Sequence, residues 1–257
     1  MLWIALVLVL LALTAIGFFL MKRRQHLTLS TAYRDLEQTK DKLQSAEDRI
    51  LKLLSRQVSP QIAEELISSE GQATERRFVC IMFLDIRDFT PMAEKMEPEE
   101  LIEYQNRVFG FMIDIIHRHH GNVNQFLGDG FMSTFGAPQS FGNDCELAVK
   151  AAREILSEIH RRVEAELIPP TRVGIGLHAG EVVTGNVGTE TRKQYSITGK
   201  TVIIASRVEQ LTKKFQSELI ITEAVYEQLA DKSLGAGETE ETNVKGRVDP
   251  LKIFLVQ

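Results

Sequence analysis

Cysteine is almost missing from this chain of 257 residues: Cys80 and Cys145 are its two thiols. They stand at no metal-ligand spacing and make no disulfide framework, which excludes a small cross-linked secreted scaffold and fits a reducing compartment. A basic excess is missing too. With 30 Lys and Arg against 35 Asp and Glu, a formal net charge of -5, the chain has no electrostatic case for a nucleic-acid partner. Charge of either sign is absent from residues 2–21, and glycine is absent from residues 27–70. Each of those two gaps marks a segment with its own physics.

The uncharged, mostly aliphatic run at residues 2–21 has about the length a helix needs to cross a bilayer. A cleaved signal peptide fits it poorly, because nothing basic precedes the run, it is too long for an h-region and no small-x-small site follows. Lys22, Arg23 and Arg24 come directly after it, so the positive-inside rule predicts a single-pass anchor in the plasma or inner membrane, with everything downstream cytoplasmic. Residues 22–74 form a predicted helical linker. Leu29, Leu36, Leu43 and Ile50 recur every seven residues, and Ala32, Thr39, Ala46 and Leu53 follow each by three. That heptad pattern favours a parallel two-stranded coiled coil, since anchoring identical chains in the same sense already aligns their helices. The small residues on the second seam keep a single amphipathic helix as the alternative. Ser59 and Pro60 restart the chain as a short connecting helix over residues 60–68.

From residue 75 to 257 the pattern alternates strands and helices, and 44% hydrophobic residues overall supply a core. Residues 78–84 read as a buried strand, 97–120 and 144–159 as amphipathic helices, 172–188 as a glycine-flanked hairpin, 199–212 as a helix and 218–222 as a strand. Tyr226 falls in a short helix, and two strands at 244–247 and 251–256 close the chain. The result is an α+β domain with helices over a mostly antiparallel sheet. His117, His119 and His120 cluster at a helix end, without further ligands at zinc spacing, and read as a solvated C-terminus.

Two aspartates carry the chemistry. Asp85 closes the strand at 78–84, with a helix expected to begin over residues 86–90, and Asp129 sits in a Gly128-Asp129-Gly130 turn between strands at 121–127 and 131–136. Taken singly, Asp85 could cap a helix and Asp129 could serve a turn. If the two strands are neighbours, their carboxylates converge. Two hard oxygen ligands with room for water and phosphate oxygens suit Mg2+ or Mn2+ and phosphoryl-transfer chemistry.

The segments FLDIRDFT at 83–90 and FLGDGFMSTFG at 126–136 resemble the metal-binding segments of class III adenylate and guanylate cyclases. RVGIGLHAGEVV at 172–183 with GNVG at 185–188 resembles the central hairpin of that family, and YSITGKTVIIASR at 195–207 its purine and transition-state segment. The resemblance implies a ferredoxin-like, palm-related core working as a head-to-tail dimer, with metals held by one protomer and base and transition-state groups supplied by the other. It implies two divalent cations, Mg2+ or Mn2+, at Asp85, Ile86 and Asp129. The backbone amides over residues 86–90, including Phe89 and Thr90, would receive phosphates at a helix mouth, with Arg172 and Lys245 contacting the triphosphate and Arg207 stabilising charge on the reacting phosphate. Gln125 and Ser196 fall at the base-selecting positions. An amide and a hydroxyl each donate and accept, so this pair suits adenine or guanine.

The chain departs from the family where an Asn usually orients the ribose, since Ile203 stands there and cannot make that hydrogen bond. The expected function is a membrane-anchored, homodimeric adenylate cyclase of low turnover that takes ATP, with GTP and a guanylate cyclase as the alternative substrate and activity. The rival from another class is a nucleotide-binding pseudo-cyclase or a regulatory partner. A diguanylate cyclase is disfavoured, because Gly128-Asp129-Gly130-Phe131 lacks the second acid of that signature.

Overall fold

The computed structural model describes residues 2–54, 74–189, 192–245 and 249–256. The chain divides into two compact units, Met1–Arg56 and Gln57–Gln257. In the first, α1 (Leu2–Leu54) is one helix of 53 residues, about 80 Å long at the usual rise per residue. It contains no proline and one glycine, Gly17, so little opposes its propagation. Leu29, Leu36, Leu43 and Ile50 are each more than half exposed along it. Among the described residues no helix is long and apolar enough to cross a membrane. Most side chains of the predicted span at 2–21, and all of the predicted connecting helix at 60–68, lie outside the described residues.

In the second unit the order is β1 (Glu75–Ile86), α2 (Phe89–Ala93), α3 (Pro98–Arg118), β2 (Asn122–Phe126), β3 (Gly130–Phe135), α4 (Asp144–Glu164) and β4 (Val173–Thr189). There follow β5 (Arg192–Thr198), α5 (Lys200–Phe215), β6 (Leu219–Thr222), α6 (Glu223–Tyr226), a 3-10 turn (Lys232–Gly235), β7 (Gly237–Thr242) and β8 (Leu251–Val256). The strands make one sheet in the order β2-β3-β1-β4-β6-β8-β7, with β5 pairing on β4. The first four therefore have the ferredoxin-like arrangement the sequence led us to expect, antiparallel throughout, while β4 and β6 run parallel.

β1 is central and its two faces bury different partners, which is why it reads as an unbroken apolar run rather than an alternation. Cys80, Met82, Leu84 and Ile86 pack with Val108, Met112 and Ile116 of α3 and with Ala148 and Ile155 of α4. Val79 and Ile81 face the other way, with Met132, Val182, Ile197 and Ala205 of α5. Residues alternate along a strand, so Phe83 and Asp85 share that second face, the one α5 covers.

Three expectations are corrected. Residues 172–188 are not a hairpin: β4 runs straight through them and pairs with β5 beyond. Its glycines serve approach, not turning. A Cβ on Gly176 would sit 2.2 Å from the Glu209 backbone nitrogen, so the bare strand lets α5 lie directly on the sheet. No strand forms at Val244 and Lys245, with Gly246 and Arg247 outside the described residues; β7 instead takes Gly237–Thr242. This edge strand is GETEET, charged and without an apolar rhythm, the usual protection of a sheet edge. The helix expected from residue 86 is the single turn α2, preceded by Asp88 at φ 56 and ended at Ala93.

Gly176→Ala should test the close approach. Moving backbone against backbone has no side chain to absorb it, and overpacking of this kind costs about 1–3 kcal/mol. Thermal melting of the variant should fall accordingly, and an unchanged midpoint would mean that α5 is not seated on β4 as described.

Candidate active site

The sheet register places the two aspartates together. Asp85 pairs with Gly130, next in sequence to Asp129, and the Ile86 amide donates to the Asp129 carbonyl at 2.9 Å. A side chain at position 130 is forbidden, because its Cβ would meet the Leu84 carbonyl oxygen at 2.1 Å. Gly128 takes φ 78, the left-handed turn conformation glycine favours. Its carbonyl accepts from Gln105 Nε2 of α3 at 3.0 Å, which braces the turn from outside the hairpin.

Asp85 and Asp129 are close enough to share a hydrogen bond. Partial burial, then the neighbouring Asp129 charge, pushes the Asp85 carboxyl up to about 6, while Lys213 and Arg87 pull the other way. Two like carboxylates in contact must share a proton or a cation. Lys213 Nζ supplies a partial answer 3.7 Å from Asp85 Oδ2. The all-oxygen donor set and its like charge fit a hard divalent ion such as Mg2+ or Mn2+, and Ile86 follows Asp85 as the last residue of β1.

The phosphate positions come out unevenly. The Ile86 amide is committed to Asp129, and the Arg87 amide donates to the Arg172 carbonyl at 2.8 Å. Neither is free for a phosphate, so the amide cradle narrows from residues 86–90 to the stretch that includes Phe89 and Thr90, and the one-turn α2 adds little dipole. Arg172 Nη2 pairs with Asp88 Oδ2 at 3.0 Å, both side chains about three-quarters exposed. Arg87, Asp88, Arg172 and Lys213 line one cleft, which reaches Ser217 and Glu218. Lys245 is exposed in the loop between β7 and β8.

Other predicted residues lie apart from the carboxylates. Gln125 pairs with Met132 at the sheet edge, and Met132 packs in the cluster that holds Tyr195 and Ile197, the neighbours of Ser196. The two base-selecting positions thus flank one apolar patch. Ile203 is 56% exposed. Arg207 Nε is enclosed without a hydrogen-bond partner among the described residues. Arg207 and Glu209 differ by about 200° around α5, and Glu209 is the one turned to Asp85. One chain therefore does not bring Arg207 to its own paired aspartates.

Glu209, Lys213 and Arg87 are neighbours of the paired carboxylates that the sequence reading missed. Glu209 and Lys213 are one helical turn apart, and the unpaired signal for them was Gly174 with Gly176, spaced to clear one strand face for a helix. Burial, then the charge of Asp85, pushes the Glu209 carboxyl up to about 7, against the pull of Arg87, Lys213 and Thr212. A folded-state value above the unfolded one means the folded chain holds that proton more tightly. The resulting stabilisation is complete at acid pH, below the unfolded value, and is lost as pH rises through about 7. Glu209→Gln cannot ionise, so in metal-free buffer its melting temperature should gain on the parent by about 3 °C or more between pH 5 and pH 8. A gap that stays constant with pH would contradict the burial of this carboxyl. The histidines of α3, by contrast, behave as a helix end: His119 Nε2 meets Glu154 Oε2 at 2.7 Å and His120 stacks on Phe141.

The family description "Adenylate and Guanylate cyclase catalytic domain" matches residues 72–257. Adenylate cyclase 1 of Rhizobium meliloti is 32% identical over 193 residues, 72% of this chain and 28% of that protein. An uncharacterized protein of Mycobacterium tuberculosis is 30% identical over 197 residues, 76% of this chain and 35% of its own length. The crystal structure of the guanylyl cyclase Cya2 is similar at a TM-score of 0.64 and 31% identity, over 71% of this chain and 93% of that one. That of the adenylyl cyclase CyaB from P. aeruginosa gives 0.63 and 28%, over 72% and 96%. The chain spans about a third of the length of the curated relatives it matches. From residue 72 onward this chain belongs to the adenylate and guanylate cyclase catalytic-domain family.

Proposed function

We propose that the chain converts ATP to cyclic AMP and pyrophosphate, slowly, at sites shared between two copies. The observation that carries this reading is the division of labour along α5: Lys213 and Glu209 meet Asp85, and Arg207 points about 200° around the helix from Glu209. Both halves are present and they do not meet. A head-to-tail homodimer would bring them together twice.

Asp85 and Asp129, with Ile86 beside them, would hold two divalent cations, which when bound lower the pKa of the ribose 3'-hydroxyl and neutralise phosphate charge. Arg172, released from Asp88, and Lys245 would hold the triphosphate with the amides of Phe89 and Thr90. The 3'-hydroxyl gives its proton to solvent, its oxygen attacks the α-phosphorus, the bond to the bridging oxygen breaks, and pyrophosphate leaves with its electron pair. Arg207 of the partner subunit would stabilise charge on the reacting phosphate, and the Gln125 and Ser196 side chains would orient the purine. Adenine is favoured by the 32% identical adenylate cyclase, and the similarity to a guanylyl cyclase keeps GTP as the alternative. The apolar run at residues 2–21, followed by Lys22, Arg23 and Arg24, supports a membrane anchor with a cytoplasmic catalytic domain. The exposed heptad positions of α1 support a two-stranded stalk.

Asp85→Asn and Asp129→Asn should each lower cyclic nucleotide formation from ATP and Mn2+ by about 100-fold or more while leaving the fold intact. Chromatographic separation of products, run with ATP and with GTP, reads both activity and base choice. Near-parental turnover in either variant would remove the site assignment.

The specific observation on the other side is Ile203, which favours a pseudo-cyclase. A restored donor acts on the ribose mainly in the transition state, so Ile203→Asn should raise the rate by roughly 10-fold or more. A folded variant that binds ATP with Mn2+ and makes no more product than the parent would support the binding-module reading instead.

A further inference from the structure

Three cations line the cleft beside the carboxylates, and they are held differently. Arg87 is half-buried, with Nη2 on the Ser217 carbonyl at 3.3 Å and the Glu209 carboxylate nearby, so it joins the β1–α2 turn to the end of α5. Arg172 is paired with Asp88. Lys213 lies in the last turn of α5, its side chain 61% exposed, with its amine 3.7 Å from Asp85 Oδ2. Its neighbour Lys214 turns elsewhere, to Thr242 Oγ1 at 3.2 Å and over the Phe215 ring. Lys213 is thus the cation of the cleft whose partner is itself a proposed metal ligand.

From this placement we infer that Lys213 is a positioning residue that exchanges partners: it neutralises Asp85 before the metal binds, and turns to the phosphates of the nucleotide once the metal takes that carboxylate. The inference rests on the metal reading of Asp85 and Asp129. An ammonium ion and a divalent cation cannot both sit against one carboxylate oxygen without repelling each other, so metal entry displaces the amine. The side chain is exposed and flexible, and the cleft it lines with Arg87 and Arg172 is where the triphosphate would lie. There its charge meets an anion again. The exchange couples the two binding events, since metal without phosphate strands the lysine and metal with phosphate satisfies it.

The consequence is a pair of opposite effects that a merely structural lysine would not produce. In the purified full chain, Lys213→Met should bind Mn2+ alone about 3-fold more tightly than the parent, by electron paramagnetic resonance of free Mn2+. With saturating Mn2+ it should bind inorganic tripolyphosphate about 3-fold more weakly, by calorimetry. These sizes are those of a partly exposed ion pair gained or lost. Lys213→Arg keeps the charge and should stay near the parent in both measurements. Unchanged or weaker Mn2+ binding in Lys213→Met, beside a parent whose Mn2+ binding is lost in Asp85→Asn, would overturn the exchange and leave the metal site standing. A parent that binds no Mn2+ through Asp85 would overturn both.

Discussion

The antiparallel pairing of β1 with β3 puts Asp85 opposite Gly130 and so presses two carboxylates together at one end of the sheet. Everything else near that end answers this constraint. Position 130 must lack a side chain, because the β1 backbone lies where a Cβ would be. Gln105 steadies the turn from α3. Lys213 and Arg87 bring positive charge, and it does not suffice: the Asp85 carboxyl remains well above the ordinary range of its type. A hydrophobic pair at the same place would be more comfortable for the fold. The strand pairing instead holds the carboxylates in a geometry whose repulsion a hard cation relieves, so the stability of this corner is linked to what it binds.

α5 is the second structural decision. Gly174 and Gly176 strip one face of β4 so that the helix seats on the sheet, with Thr212 and Glu209 at the contact. A helix seated this closely has one side committed to its own sheet and one side free. Glu209 and Lys213 face Asp85, whereas Ile203 is exposed on the far side and Arg207 lies about 200° around the helix from Glu209. Arg207 Nε is enclosed with no hydrogen-bond partner among the described residues, and on the proposed assembly its guanidinium would turn to a group supplied by the second copy. On the proposed assembly, turnover depends on the concentration of pairs, and a shared anchor and stalk would raise the effective concentration of one catalytic unit about the other.

Much of this was legible in the sequence because the signals were strong and local. The β1 run was long and apolar, Pro98 opened α3 behind a capping box of Glu97 and Glu100, and Gly128-Asp129-Gly130 could hardly be anything but a tight turn. The hairpin expected over 172–188 was missed because a glycine in a strand can signify either a turn or a close neighbour, and only the position of α5 decides between them. β7 escaped because an edge strand facing solvent has no apolar alternation to display. At the site, the ends of the two strands gave the aspartates, while Glu209 and Lys213 carried no motif of their own: their placement arises from where a helix lands on a sheet, which the spacing of Gly174 and Gly176 alone could have signalled. The phosphate cradle was drawn too wide for a related reason. Whether the amides of Ile86 and Arg87 are free depends on Asp129 and Arg172, which come much later in the chain.

Ile203 brings these threads into tension. It stands half-exposed one helical turn before Arg207, on the side of α5 that its own domain leaves uncovered. Covering an aliphatic side chain of that size when two copies meet would contribute about 1–2 kcal/mol to their association. A polar ribose donor at the same position would contribute to the transition state instead, where losing one such group costs ~10^2 to 10^3 in rate. The two contributions fall on different steps, pairing and chemistry, so the substitution does not simply impair the site. On the proposed arrangement it would move favourable free energy from the reaction to the assembly. A chain so made, on the proposed arrangement, would pair more readily than it reacts, and an output limited by the chemical step would follow from its paired aspartates and its aliphatic residue 203.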